Sequence, residues 1–245
     1  MKFLVCISQV PDTTAKIAFT NNNTTFQSAG IQFIINPGDE LALTRALELK
    51  ETLGGTVTVI TIGRADTEPN LRKALAIGAD DAIRVNADAT DAYFIASQIA
   101  QIAKANSYDV ILTGKESIDF NGSQVGGMLA AMLDIPFISY STKLTMEGNT
   151  GILERENDGG KEIVSVPAPF IASAQKGMAE PRIPNMRGIM SARTKPLLVS
   201  EPVSADSYTS VTVYELPPAK AACKIVSADN PAELINLLHN EARVI

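Results

Sequence analysis

The sequence predicts an α/β fold: a doubly wound, mostly parallel sheet in three layers, with an antiparallel extension and an extended C-terminal arm. Three observations predict it. Short apolar, β-branched runs such as TVTVITI at 56–62 alternate with amphipathic segments as far as residue 134. Beyond residue 135 the pattern becomes period-two alternation on either side of Glu147-Gly148-Asn149, a hairpin signal. After Leu197 regular patterns thin out, as in an arm that lies on something else.

Each element follows from local pattern. KFLVCIS at 2–8 is the first strand, and Pro11 punctuates a turn over Gln9–Thr14. Residues 15–35 are a polar excursion with NNNTT at its tip. Asn36-Pro37-Gly38-Asp39 turns into an amphipathic helix, Asp39–Leu53, which ends at Gly54-Gly55. A buried strand at 56–62 stops at Gly63, and a helix over Glu68–Ile77 stops at Gly78. A short strand at 82–85, a helix over Asp91–Ala105 and a strand over Val110–Thr113 come next. Val125, Met128, Leu129, Met132 and Leu133 then carry helical spacing. Phe137–Met146 and Gly151–Glu156 read as an antiparallel pair. Glu162–Ser173 reads as one strand, edge or irregular, because it carries Pro167 and Pro169. Residues 175–196 have no clean period and read as a long loop. A strand at Ser210–Glu215 and a helix at Pro231–Ala242 complete the chain. The expected division is 1–196 as a nucleotide-binding domain that includes the 175–196 loop, and 197–245 as an arm contacting a partner.

Composition removes several function classes. The 245 residues are 45% hydrophobic and 20% charged, ordinary for a globular chain. A net charge of −6 argues against a nucleic-acid partner. The N-terminus MKFLVCISQVPD is too short for a signal peptide or a membrane span, so the expected location is cytoplasmic, with no membrane insertion. Cys6 and Cys223 form no disulfide or zinc framework, and Cys6 reads as a small buried hydrophobe. The single histidine, His239, leaves no His-based triad and no multi-His metal site. No catalytic residue is expected. A hydrolase using Asp119 or Glu156 lacks a nucleophile or metal constellation.

In open α/β sheets, ligands bind beyond the carboxyl ends of the strands. Ser8–Thr13, Asn36–Asp39, Ile62–Ala65 and Gly114–Val125 fall on that edge and can converge on one crevice. The last segment joins a strand to a helix through Gly114, Lys115, Asp119, Asn121, Gly122, Ser123 and Gln124. It matches neither a dinucleotide glycine fingerprint nor a P-loop. Two readings stay open: a nucleotide phosphate on the helix start, or a helix start capped by its own polar residues. Asp12 and Asp119 read as turn caps. Glu154 and Glu156 share a strand face opposite Arg155 and read as solvated. Met178, Met186 and Met190, near Arg182, Arg187 and Arg193, read as partner anchors in preference to methionines that fold back.

Taken together, these stretches resemble the β subunit of the electron transfer flavoproteins. The resemblance lies in VCISQVPDTT at 5–14, IINPGDELAL at 34–43, ALAIGADDAIRV at 74–85, LTGKESIDFNGSQVGGMLAAML at 112–133 and ERENDGG at 154–160. It continues in EPRIPNMRGIMSARTKPL at 180–197 and YELPPAKAACKIV at 214–226. It implies an adenine-nucleotide α-hydrolase-like fold and a heterodimer with an electron transfer flavoprotein α subunit that holds most of an FAD. It also implies electron traffic from a flavin dehydrogenase, such as an acyl-CoA dehydrogenase, to a quinone-linked or other acceptor. AMP or a second FAD is implied on this subunit, against Cys6, Asn36, Pro37, Gly38, Asp39, Ile62 and Gly114 through Val125. Partner recognition is implied for Arg182, Ile183, Met186, Ile189 and Met190, steadied by Glu156. Two departures stand out: Thr13 occupies the place of a tyrosine that meets the flavin ring in some members, and the basic run after the loop is thinned to Arg193 and Lys195. The competing reading is a universal-stress-type nucleotide-binding regulatory protein.

Overall fold

A computed structural model describes residues 1–89, 91–220 and 222–245. Ala221, inside the YELPPAKAACKIV stretch, and Thr90 lie outside the described residues.

The first strand, β1 (Lys2–Cys6), is the middle of the fold. It is followed by short strands β2 (Gln9–Pro11), β3 (Phe19–Thr20), β4 (Thr25–Phe26) and β5 (Phe33–Ile35). Strands β2 and β5 pair antiparallel, where the sequence reading has only a turn; three-residue strands carry no measurable period. The β3–β4 hairpin turns at Asn21–Asn23, all in the left-handed region that asparagine tolerates. Helix α1 (Pro37–Leu53) starts two residues earlier than expected, with proline in the first turn, where its missing N–H is harmless.

The parallel core continues as β6 (Thr56–Ile62), α2 (Glu68–Ile77), β7 (Asp81–Val85), α3 (Ala92–Asn106), β8 (Val110–Gly114) and α4 (Val125–Leu133). The extension is β9 (Phe137–Glu147), β10 (Thr150–Asn157) and β11 (Gly160–Pro167), and β12 (Phe170–Ala174) returns to the core. Helix α5 (Met186–Ala192), β13 (Leu197–Ser200) and α6 (Pro231–Asn236) follow, with a wider helical turn over Leu237–Ala242. The large sheet runs β11-β10-β9-β12-β8-β1-β6-β7-β13. It is parallel from β9 to β13 and antiparallel across β9, β10 and β11.

Side chains alternate between two cores, as strand geometry requires. Phe3, Val5, Val57, Val59, Val110 and Leu112 face α1, α2 and α5, with Leu43, Leu47, Leu71 and Leu75 among their neighbours. Leu4, Cys6, Ile60, Ile62 and Ile111 face α3 and α4, with Ile99, Ala103 and Leu129. Both faces are covered, giving the expected three layers.

Four expectations are corrected. Glu162–Ser173 is two strands, because Pro167 and Pro169 deprive the backbone of N–H groups where it breaks. Only β11 lies at the edge; β12 is buried between β8 and β9. The 175–196 loop contains α5. Ser210–Glu215 forms no strand, and the tail instead contributes β13 to the β7 edge. No helix among the described residues is long and apolar enough to cross a membrane.

Candidate functional site

The carboxyl ends of β1, β6 and β8 open onto one crevice of about 660 Å³, a usual size for a small-molecule site. Cys6, Asp39, Ile62, Gly114, Lys115, Asp119, Gly122, Ser123, Gln124 and Val125 all line it. Asn36, Pro37, Gly38 and Asn121 are outside its lining. Ser8 and Gln9 line the crevice, but Asp12 does not; it caps its own turn, accepting the Thr14 N–H at 2.8 Å.

Asp39, near the start of α1, ties the crevice together. Its carboxylate accepts the Ser8 N–H at 2.7 Å from the end of β1 and the Gly114 N–H at 2.8 Å from the end of β8. Burial pushes this carboxyl up to about 7, against the pull of those two donors. Gly114 is required here: a Cβ would stand 2.4 Å from Asp39 Oδ1 and 2.9 Å from the Gly38 carbonyl carbon. Asn36 is fully buried and supports the same wall from behind. Its Nδ2 donates to the Glu116 carbonyl at 2.9 Å, and its Oδ1 accepts the Ile118 N–H at 3.2 Å. Burial, then the nearby Asp39 charge, raises the Cys6 thiol far above its ordinary range, so it stays neutral.

The wall at 114–125 is not capped as one of the two readings required. Gln124, at the N-cap of α4, makes no side-chain capping bond, and the Ser123 hydroxyl donates to Glu116 Oε2 at 3.1 Å instead. Asn121 and Ser123 take left-handed backbone conformations in leading the chain into the helix. The first N–H groups of α4 therefore keep their capacity for an anion. Lys115 Nζ lies 3.2 Å from Glu116 at the same rim.

Besides Ile95 and Ile99 of α3, Phe137 of β9 and Ser173 of β12, two connecting segments of the crevice escape the sequence reading. The connection from β7 to α3 contributes Asp88, Asp91 and Ala92, and the tail contributes Thr209, Ser210 and Val211. The first was signalled, since it too leaves a parallel strand at its carboxyl end; the second had no local signal.

The second candidate surface is α5. Asn185 caps it by accepting the Gly188 N–H at 2.8 Å. Gly188 lies so close to α2 that a Cβ would stand 2.2 Å from the Ala76 carbonyl oxygen. Arg72 of α2 donates to the Ala192 and Lys195 carbonyls at 2.7 and 2.8 Å, and Lys195 Nζ donates back to Leu75 and Ala79. Arg182 makes a two-point ion pair with Glu51 of α1. So fixed, the helix and its approach expose Ile183 (92%), Met186 (75%), Ile189 (42%) and Met190 (67%). Met178, by contrast, folds back and is buried. Glu156 is exposed on β10 and accepts from Gln175 at 2.6 Å, at the base of the 175–196 segment. Glu154 pairs with Lys161, in keeping with a solvated strand. The described residues include no cluster suited to a metal ion.

A family model for the electron transfer flavoprotein domain matches residues 23–204. The chain belongs to this family, as a β subunit. It is 37% identical to the electron transfer flavoprotein subunit beta of Bacillus subtilis, over the full length of both chains. It is 37% identical to the namesake subunit of Syntrophomonas wolfei, over 91% of this chain and 88% of that one. It is 34% identical to the acryloyl-CoA reductase electron transfer subunit gamma of Anaerotignum propionicum, over 81% and 77%. The role of this β subunit is electron transfer, as a carrier and not as a self-sufficient enzyme. Membership implies pairing with an α subunit and a flavin in the complex. The universal-stress-type reading is not favoured by these relatives.

Proposed function

We propose that this β subunit holds an adenine nucleotide, AMP or a second FAD, in the crevice at the carboxyl edge of β1, β6 and β8. The main FAD is held by the α subunit, in the cytoplasm. The observation that carries the reading is the convergence of three strand ends and an uncapped helix start on one crevice. In this reading Cys6, Asp39 and Ile62 form the floor, and Gly114 through Val125 form the phosphate-side wall, with Asn36, Pro37 and Gly38 as its support. The donor set fits the group: the backbone N–H groups at the start of α4 suit a phosphate, and the apolar lining residues Cys6, Ile60 and Ile62 suit a purine. Bound flavin supplies the electron-accepting chemistry, and the protein orients it.

Arg182, Ile183, Met186, Ile189, Met190 and Glu156 form or steady the surface that meets a flavin dehydrogenase, such as an acyl-CoA dehydrogenase; a quinone-linked or other acceptor takes the electrons onward. Support comes from the exposed methionines and isoleucines on a braced helix and the segment leading into it. Denaturing the purified heterodimer and weighing the released nucleotides is the test. One FAD with one AMP, or two FAD, is expected. A folded heterodimer that releases nothing beyond a single FAD overturns the crevice assignment.

A further inference from the structure

Residues 201–220 form no helix or strand, yet a stretch of them is held at several points around the crevice. Gln98 of α3 bonds both ways with Val203: its Oε1 accepts the Val203 N–H at 2.8 Å, and its Nε2 donates to the Val203 carbonyl at 2.9 Å. Asp91 Oδ2 accepts two successive amides, Tyr208 N–H at 2.5 Å and Thr209 N–H at 2.9 Å. The Tyr208 ring meets Tyr93 edge-on at 4.7 Å. Thr209, Ser210 and Val211 then line the crevice. Beyond it, Tyr214 stacks on Phe19 at 4.8 Å and donates its N–H to the Asn23 carbonyl at 2.7 Å. The chain thus runs from α3 to the β3–β4 hairpin with the crevice between its two moorings.

An irregular segment loses conformational entropy when it is ordered, and paired amides on one carboxylate are a strong way to offset that. Asp91 has a second task. Its Oδ1 caps α3 by accepting the Phe94 N–H at 2.7 Å. One side chain therefore fixes both the helix that forms one side of the crevice and the segment that closes it.

We propose that residues 203–214 are a strap that completes the nucleotide site, with Thr209–Val211 in contact with the bound nucleotide and Asp91 as their positioning residue. This rests on the reading of the crevice as a nucleotide site. It adds that the tail is part of that site and not only a partner-binding arm. Linkage makes the relation reciprocal: a strap that tightens nucleotide binding must itself be held more firmly when nucleotide is bound.

Asp91→Asn separates the two tasks. Asparagine is a good N-cap, so α3 keeps its start, but an amide nitrogen replaces the oxygen that accepted Tyr208 and Thr209. The test uses the co-expressed heterodimer and two readouts. One is exchange of bound nucleotide against labelled AMP or labelled FAD, whichever the wild-type complex releases. The other is amide hydrogen exchange at Phe94, Tyr208 and Thr209. The expected result is nucleotide exchange faster by about ten-fold or more, the loss of at least one net hydrogen bond, with Phe94 still protected. In the wild type, filling the site slows exchange at Tyr208 and Thr209. An unchanged nucleotide exchange rate, with Tyr208 and Thr209 deprotected, overturns the proposal. Should Phe94 lose protection as well, Tyr208→Ala, which removes the Tyr93 contact and leaves the cap, is judged by the same two readouts. A wild-type complex that neither releases nor takes up an adenine nucleotide overturns the crevice reading itself, which is a different outcome from a filled site indifferent to its strap.

Discussion

Asp39 offers a test in which pH is the variable. Its carboxyl is buried, and burial raises it from 3.8 to about 7 despite the Ser8 and Gly114 donors. In the unfolded chain it titrates at its ordinary value. Between pH 4 and 7 the folded chain therefore keeps a proton that the unfolded chain has lost. The stability tied to this group is complete below about pH 4 and is lost as pH rises through about 7. A rise of that size amounts to about 4 kcal/mol, of which about 2–3 kcal/mol falls between pH 5 and pH 8. Asp39→Asn keeps the shape and removes the titration. Urea unfolding of the full chain and the variant, side by side at pH 5, 6, 7 and 8, gives the difference in stability at each pH. Carboxylates held low by ion pairs, such as Glu51, Asp88 and Glu162, contribute equally to both chains and cancel. The wild type's advantage over the variant is expected to shrink by about 2–3 kcal/mol from pH 5 to pH 8. An advantage that stays level or widens with pH refutes the reasoning. Asp39 would then be ionised throughout, its two N–H donors outweighing its burial.

Other perturbations address single contacts. Gly114→Ala drives a methyl into Asp39 and the Gly38 backbone; it should cost about 1–3 kcal/mol and lower the nucleotide content of the purified heterodimer. Met186→Ala should slow electron transfer from the donor dehydrogenase in stopped-flow assays and leave the nucleotide content unchanged; loss of nucleotide would mark the segment as structural. Gly188→Ala, which pushes α5 off the Ala76 carbonyl, should slow the same transfer without altering a residue of the exposed patch. Arg182→Ala should change thermal stability by no more than about 1 kcal/mol, because the Glu51 pair is largely solvated.

The parallel core was legible because its strands are continuous apolar runs and its helices end at Gly54 and Gly78. Elements of two to four residues were not: β2, β5 and β13 exist through pairing with distant strands, and their own sequences show no period. Helix α5 was hidden for a related reason. It has seven residues with Gly188 inside, and its carbonyl end is satisfied by Arg72 from another helix. The crevice shows the same divide. Rules about strand ends located its walls at Ser8, Ile62 and Gly114. The Asp91–Tyr208 bond spans 117 residues of sequence, and nothing near either residue announces the other. The polar residues before α4 suggested capping, but Ser123 is taken by Glu116, a competition that only the folded loop reveals.

The crevice and the α5 surface are joined by one element, α2. The turn leading into it puts Gly63, Arg64 and Thr67 on the crevice, and Asn70 in its first turns donates to Gln9, another lining residue, at 2.8 Å. Its far end carries α5 through Arg72, Ala76 and the Lys195 bonds to Leu75 and Ala79. Ten residues of helix separate the two by about 15 Å. On the proposed reading, a nucleotide and a docked partner meet opposite ends of this helix, whose ends are held by the Asn70 bond to Gln9 and by the Arg72 and Lys195 bonds to the α5 segment.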